Sequence, residues 1–115
     1  MKPILLFLIL ILTSCSKSEI IKNDIQQKLG DRVYYPSVIL NTIPESFSFI
    51  NCTYVSDYTV FNYNNEKMIV QELKGKYISY CRLFDNRYST FNMEVRDNSF
   101  VLIDENGIRI TYRQW

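Results

Sequence analysis

Phe91-Asn92-Met93-Glu94-Val95-Arg96, Asp97-Asn98, Ser99-Phe100-Val101-Leu102-Ile103, Asp104-Glu105-Asn106-Gly107 and Ile108-Arg109-Ile110-Thr111-Tyr112-Arg113 follow one another without a break and decide the fold. Phe91, Met93 and Val95 alternate with Asn92, Glu94 and Arg96, the period of a strand with one apolar and one wet face. Phe100 to Ile103 is apolar throughout, as a strand covered on both faces would be. Ile108, Ile110 and Tyr112 alternate again with Arg109, Thr111 and Arg113. Asp97-Asn98 and Asn106-Gly107 mark the turns between them. Asn-Gly tolerates the positive φ angles of a type I′ hairpin turn and is the strongest hairpin signal in the chain.

The same rhythm extends upstream. Ser46-Phe47-Ser48-Phe49 alternates, Tyr58 to Tyr63 is aromatic and ends at Asn64-Asn65, and Met68 to Leu73 ends at Lys74-Gly75. Tyr77 to Phe84 ends at Asp85-Asn86. Turns near 64, 75, 86, 98 and 106 recur every 8 to 12 residues, the spacing of an antiparallel meander. Nine Tyr, seven Phe and one Trp, with no Ala, suit strands better than helices. The reading is therefore all-β: a small antiparallel meander or barrel of about seven to eight strands, closed so as to hide its edges. Arg32 to Leu40 is rich in Tyr, Val and Ile, but Pro36 makes it an edge strand or an extended connector.

A short helix is expected before the sheet. Ser16-Lys17-Ser18-Glu19 has the form of a capping box, Ile21, Ile25 and Leu29 recur at spacing four, and Gly30 suits a helix C-terminus. The helix either packs one face on the domain or serves as a loose tether.

The first fifteen residues read as an address. Lys2 is followed by an unbroken apolar run, Ile4 to Leu12, and then by Leu12-Thr13-Ser14-Cys15. Nine apolar residues are too few for a spanning helix, which needs about 20. The order resembles a bacterial lipoprotein signal peptide with its lipobox, in which the cysteine is acylated and becomes the new N-terminus. That resemblance implies a cleaved leader, 1–14, a lipidated Cys15 with the short helix or tether, 15–31, and a β-domain, 32–115. It also implies a membrane partner through acyl chains on Cys15. The location it implies is the cell envelope, at the outer membrane, because Ser16 stands where an Asp would signal inner-membrane retention.

Loss of Lys2 with the leader takes the 13 basic residues to 12, equal to the 12 acidic ones. A balanced charge with no long basic run argues against nucleic acid as a partner. Histidine is absent, which removes Ser-His-Asp and Cys-His nucleophile systems and His-based metal sites. No cofactor or metal is implied, and no spaced carboxylate pair stands out, so an enzyme is not expected. Cys52 and Cys81 remain after Cys15, an even pair for an oxidising compartment. A Cys52–Cys81 disulfide would close a loop of about 30 residues and stabilise by roughly 3–4 kcal/mol. Two separate buried thiols are the alternative.

Phe47 to Tyr112 also resembles the membrane-bound inhibitors of c-type lysozyme. Phe49-Ile50-Asn51-Cys52 is similar to that family's aromatic-x-Cys strand with one residue added, and Gly75-Lys76-Tyr77-Ile78 to its Gly-Lys-x-Tyr segment with one removed. Phe84-Asp85-Asn86-Arg87-Tyr88 stands in the place of its Ser-Gly-x-x-Tyr loop, sharing only the Tyr. Met93-Glu94-Val95-Arg96-Asp97 aligns with a stretch in which Arg96 replaces a family Lys. The family's terminal cysteine is missing, which leaves Cys81 as the partner for Cys52. The resemblance implies a protein partner, a lysozyme, with Arg96 and Arg87 offered from hairpin turns to its cleft carboxylates and Tyr88 packing behind the loop. Solvated turn residues are the plain alternative for both arginines. A second function class is an exclusion lipoprotein of the phage or plasmid type that blocks an outer-membrane receptor, with Tyr34-Tyr35-Pro36 and Tyr58 as contacts. An immunity protein against a periplasmic toxin is a third.

Overall fold

The computed structural model describes residues 17–55, 57–82 and 86–114. The leader, Cys15, Ser16 of the expected capping box, and Asp85 of the Asp85-Asn86 turn lie outside the described residues. A helix, α1 (Lys17–Leu29), precedes eight strands. These are β1 (Tyr35–Pro36), β2 (Asn51–Val55), β3 (Tyr58–Tyr63), β4 (Glu66–Leu73), β5 (Lys76–Arg82), β6 (Tyr88–Arg96), β7 (Ser99–Ile103) and β8 (Arg109–Arg113). They form one antiparallel sheet in the order β1-β8-β7-β6-β5-β4-β3-β2. From β2 to β8 each strand pairs with its successor in sequence, as the turn spacing predicts, while β1 joins the far edge beside β8.

Turn chemistry sets the register. Asn64 and Asn65 take φ of 49° and 66°, and Lys74 and Gly75 take 53° and 80°, so two-residue type I′ turns join β3 to β4 and β4 to β5. The expected type I′ turn at Asn106-Gly107 is absent. Asp104 Oδ1 instead accepts hydrogen bonds from the Asn106 and Ile108 amides, and Gly107 N donates to Asp104 O across 3.0 Å. Only Gly107 is left-handed, at φ 82°. This is a three-residue loop ending in a left-handed glycine, stabilised by the preceding Asp side chain.

Two expected strands are reduced. In Arg32–Leu40 only Tyr35 and Pro36 pair with β8, and Ser37 N to Thr111 O, 2.9 Å, is the last bond before the chain departs. Ser46–Phe49 is held by a single bridge, Tyr34 with Phe47, through reciprocal bonds of 2.8 and 3.0 Å. Phe47, Ser48 and Phe49 are all buried, so the in-out alternation read from this stretch does not apply. That bridge spans the seam between the β1 edge and the segment leading into β2, where a barrel would close.

The helix belongs to the core. Ile21, Ile25 and Leu29 are buried in the same cluster as Phe47, Phe49, Phe61, Met68, Phe100 and Tyr112. The spacing-four stripe thus faces the sheet, and α1 is an integral layer of the domain, not a tether. Polar bonds fix its angle. Thr59 Oγ1 donates to Ser18 O at 2.6 Å, the Tyr77 hydroxyl to Asp24 at 2.5 Å, and the Tyr34 hydroxyl to Leu29 O. Gly30, at φ 66°, ends the helix as a left-handed C-terminal residue. Aromatic edges fill the centre: Phe49 meets Phe47, Phe61 and Phe100 with ring centroids 5.0–5.1 Å apart. Each such pair adds about 0.5–1.5 kcal/mol beyond its burial.

The expected disulfide is not formed. Cys52 and Cys81 are free thiols. The register runs Cys52 to Phe61, Phe61 to Met68 and Met68 to Cys81, so β3 and β4 lie between them. Three interstrand steps of about 4.8 Å along the sheet far exceed the Cα separation of roughly 4.4–6.8 Å that a disulfide permits. Both side chains take core positions, and burial pushes the Cys81 thiol up to about 12.

Candidate functional site

Two of the three residues expected to meet a partner, Tyr88 and Arg96, lie at the two ends of β6, and Arg87 immediately precedes it. Nine extended residues put roughly 27 Å between Tyr88 and Arg96. The two turns therefore open at opposite ends of the sheet and cannot enter one cleft together. Tyr88 is 51% exposed, and residues 83–85 of the loop it was expected to support lie outside the described residues. Its neighbours across a surface hollow are Thr42 and the Asp104–Asn106 turn.

The Arg96 end is the more elaborate. Arg96 pairs with Ser99 across the Asp97-Asn98 turn, and Asn98 takes the left-handed conformation at φ 62°. Asn98 N donates to Lys28 O at 3.0 Å, which fastens the turn to the last turn of α1. Arg32 Nη1 donates to Asn98 Oδ1 at 2.7 Å and sets a second guanidinium beside the turn. Ser99 pairs in turn with Arg113, two strands from Arg96, or about 10 Å away. Three arginines thus surround one rigid hairpin end.

Glu94 organises the outer side of this end. Its carboxylate accepts from Arg96 Nη2 at 3.1 Å and from Arg109 Nη2. The Arg109 hydrogen bond is the larger influence holding the Glu94 carboxyl below its ordinary value, with Arg96 adding to it. One carboxylate shared by two guanidiniums leaves the group net positive. Val101, in register with Glu94 on this outer face, is nearly fully buried, so the all-apolar run of β7 is covered on both faces as predicted.

Beside this end a groove of about 590 Å³ opens between the β4–β5 turn, β6 and α1. Lys28 and Asp24 form an ion pair of 3.1 Å on its helix wall. Burial raises the Asp24 carboxyl, but the hydrogen bonds from Tyr77 and Lys28 outweigh it and the net direction is down. Burial, and then the bond to Asp24, push the Tyr77 hydroxyl upward.

Of the tyrosines expected to meet a receptor, Tyr34 is fully buried with its hydroxyl on Leu29 O, so it is a core residue. Tyr35 and Tyr58 are half-buried in strands. Arg32, Arg113, Glu94 and Arg109 were not singled out from the sequence. Arg32 lies in a loop 66 residues from Asn98, and no local pattern signals that contact. No known protein family, curated protein or solved structure matches the chain.

Proposed function

We propose that this chain is a lipid-anchored bacterial envelope protein, attached through Cys15, that acts by binding another protein and not by catalysis. In this reading the β6–β7 hairpin end enters a carboxylate-lined cleft in the manner of an inhibitor of c-type lysozyme, whose glycan cleft carries two carboxyl groups. The observation that carries it is the Arg96 turn: Arg32 is hydrogen-bonded to its Asn98, Arg113 lies two strands from Arg96 in the same register row, and the Asn98–Lys28 bond fastens the turn to the helix. A fixed cation pairs with a carboxylate more strongly in a cleft of reduced dielectric than in water, and loses little entropy in docking. Arg87 falls outside the contact, because it sits at the other end of β6.

The test is inhibition of a panel of lysozymes by chain beginning at Ser16. Arg96→Ala is expected to weaken inhibition by about 2 kcal/mol or more, roughly thirtyfold, and Arg87→Ala to leave it unchanged. No inhibition of any lysozyme, or equal inhibition by Arg96→Ala, removes this mechanism. A receptor-blocking role is a second reading. It draws on the exposed run Val38-Ile39-Leu40, with Ile39 73% exposed, and no longer on Tyr34.

A further inference from the structure

One row on the outer face of the sheet is not satisfied by its own neighbours. Asn51, Asn62, Lys67, Arg82 and Tyr88 succeed one another in direct register from β2 to β6. Their side chains are two carboxamides, an ammonium, a guanidinium and a phenol, so the row is rich in donors and holds no carboxylate. Lys67 and Arg82 stand directly opposite each other, and like charges so placed on adjacent strands repel. Neither forms an ion pair among the described residues. Arg82 Nε is buried without a hydrogen-bond partner, a costly state for a charged donor. Asn51, Asn62, Lys67 and Arg82 line a groove of about 560 Å³ beside the Asn64-Asn65 turn. Glu66 also borders it, but among the described residues it forms no ion pair with either cation, and its Oε2 is unpartnered.

We propose that this groove is an oxyanion site that takes a phosphate group between Lys67 and Arg82. A bound tetrahedral anion converts the repulsion of the two cations into attraction to a shared centre, and accepts the charge-assisted hydrogen bonds that the guanidinium now lacks. Asn62 and Asn51 extend the donor surface from the β2 side. The phosphate is either free or the diester of a lipid headgroup, and both present the same oxygens.

The experiment titrates the full chain in neutral detergent with inorganic phosphate and, separately, with glycerophosphoglycerol, at matched ionic strength in chloride. Binding is followed by thermal unfolding and by amide shifts. Phosphate is expected to raise the Tm of the wild type and to shift the amides of 62, 67 and 82. Lys67→Gln and Arg82→Gln should each weaken the response at least about tenfold. Without phosphate, Lys67→Gln should be as stable as the wild type or more so, since it removes the repulsion; this control also shows that the variant folds. Binding of the diester as well as of phosphate assigns the site to headgroups, and binding of phosphate alone assigns it to the free anion. Absence of any shift with either compound, or an equal shift in Lys67→Gln, overturns the proposal.

Discussion

Replacing Ile25 by Ala tests whether α1 is part of the domain. Ile25 is fully buried in the middle of the helix, within the cluster that includes Phe49, Phe61 and Met68. The change removes buried carbon atoms and leaves a cavity between helix and sheet, where strands on one side and three hydrogen-bonded anchors on the other resist collapse. Substitutions of this kind cost about 2–5 kcal/mol. For a domain of this size each kcal/mol lowers Tm by roughly 4–8 °C, so a fall of at least about 8 °C is expected. Ile20 is the internal control. It lies on the same helix, is 52% exposed, and on replacement by Ala should alter stability by no more than about 0.5 kcal/mol. Circular dichroism melts and urea titration of both variants measure the difference. Equal stability of Ile25→Ala and Ile20→Ala would refute the packing argument and return the helix to the status of a tether.

Two further outcomes are expected. Intact-mass measurement after alkylation in denaturant should add two labels to Cys52 and Cys81 without prior reduction, and native chain should leave Cys81 unlabelled, because its thiol is fully buried and held up to about 12. A single species that accepts no label until it is reduced would contradict the register. Glu66→Gln should stabilise the domain at neutral pH. The folded-state value of Glu66 is raised, so ionisation disfavours the fold: its contribution is fully present below the unfolded value and is lost as pH rises through the folded one. The advantage of the variant should therefore vanish on acidification below the ordinary Glu range, and an advantage that persists or grows there would oppose the assignment.

The meander was legible because its signals are local. Alternation in 91–96 and 108–113, together with Asn and Gly at the turns, specifies which residues face inward and where each strand ends. What could not be read depends on contacts distant in sequence. Ser46–Phe49 alternates but is buried on both sides, because Tyr34 bridges to Phe47 and the helix covers the same region. Asn106-Gly107 carries a type I′ signature, yet Asp104 offers its carboxylate to two amides and selects the longer loop. The even cysteine count suggested a bridge, but counting carries no register, and the ladder puts two strands between the thiols. At the candidate site Arg96 was legible from its turn, whereas Arg32 and Arg113 reach it only through tertiary structure. Arg87 was grouped with Arg96 because both flank turns; antiparallel geometry puts consecutive turns at opposite ends of a strand.

Geometry also constrains how the proposed anchor and the proposed contact can work together. If Cys15 carries lipid, only Ser16 separates it from the start of α1, and a link of two residue steps spans at most about 7 Å. The N-terminus of the helix is then held against the bilayer surface. From there 13 helical residues carry the chain about 20 Å to Leu29 and the Lys28 carbonyl, which fixes the Asn98 turn. The distance from anchor to arginines is set by a rigid rod and not by a flexible tail. With that anchor a partner would have to come to the membrane to be bound, and one fixed farther from the bilayer than the domain's own dimension would stay beyond reach. A small soluble hydrolase that diffuses to the envelope meets this condition. Strengthening the Arg96 end would not extend the reach of the protein, whereas a longer spacer between Cys15 and Lys17 would.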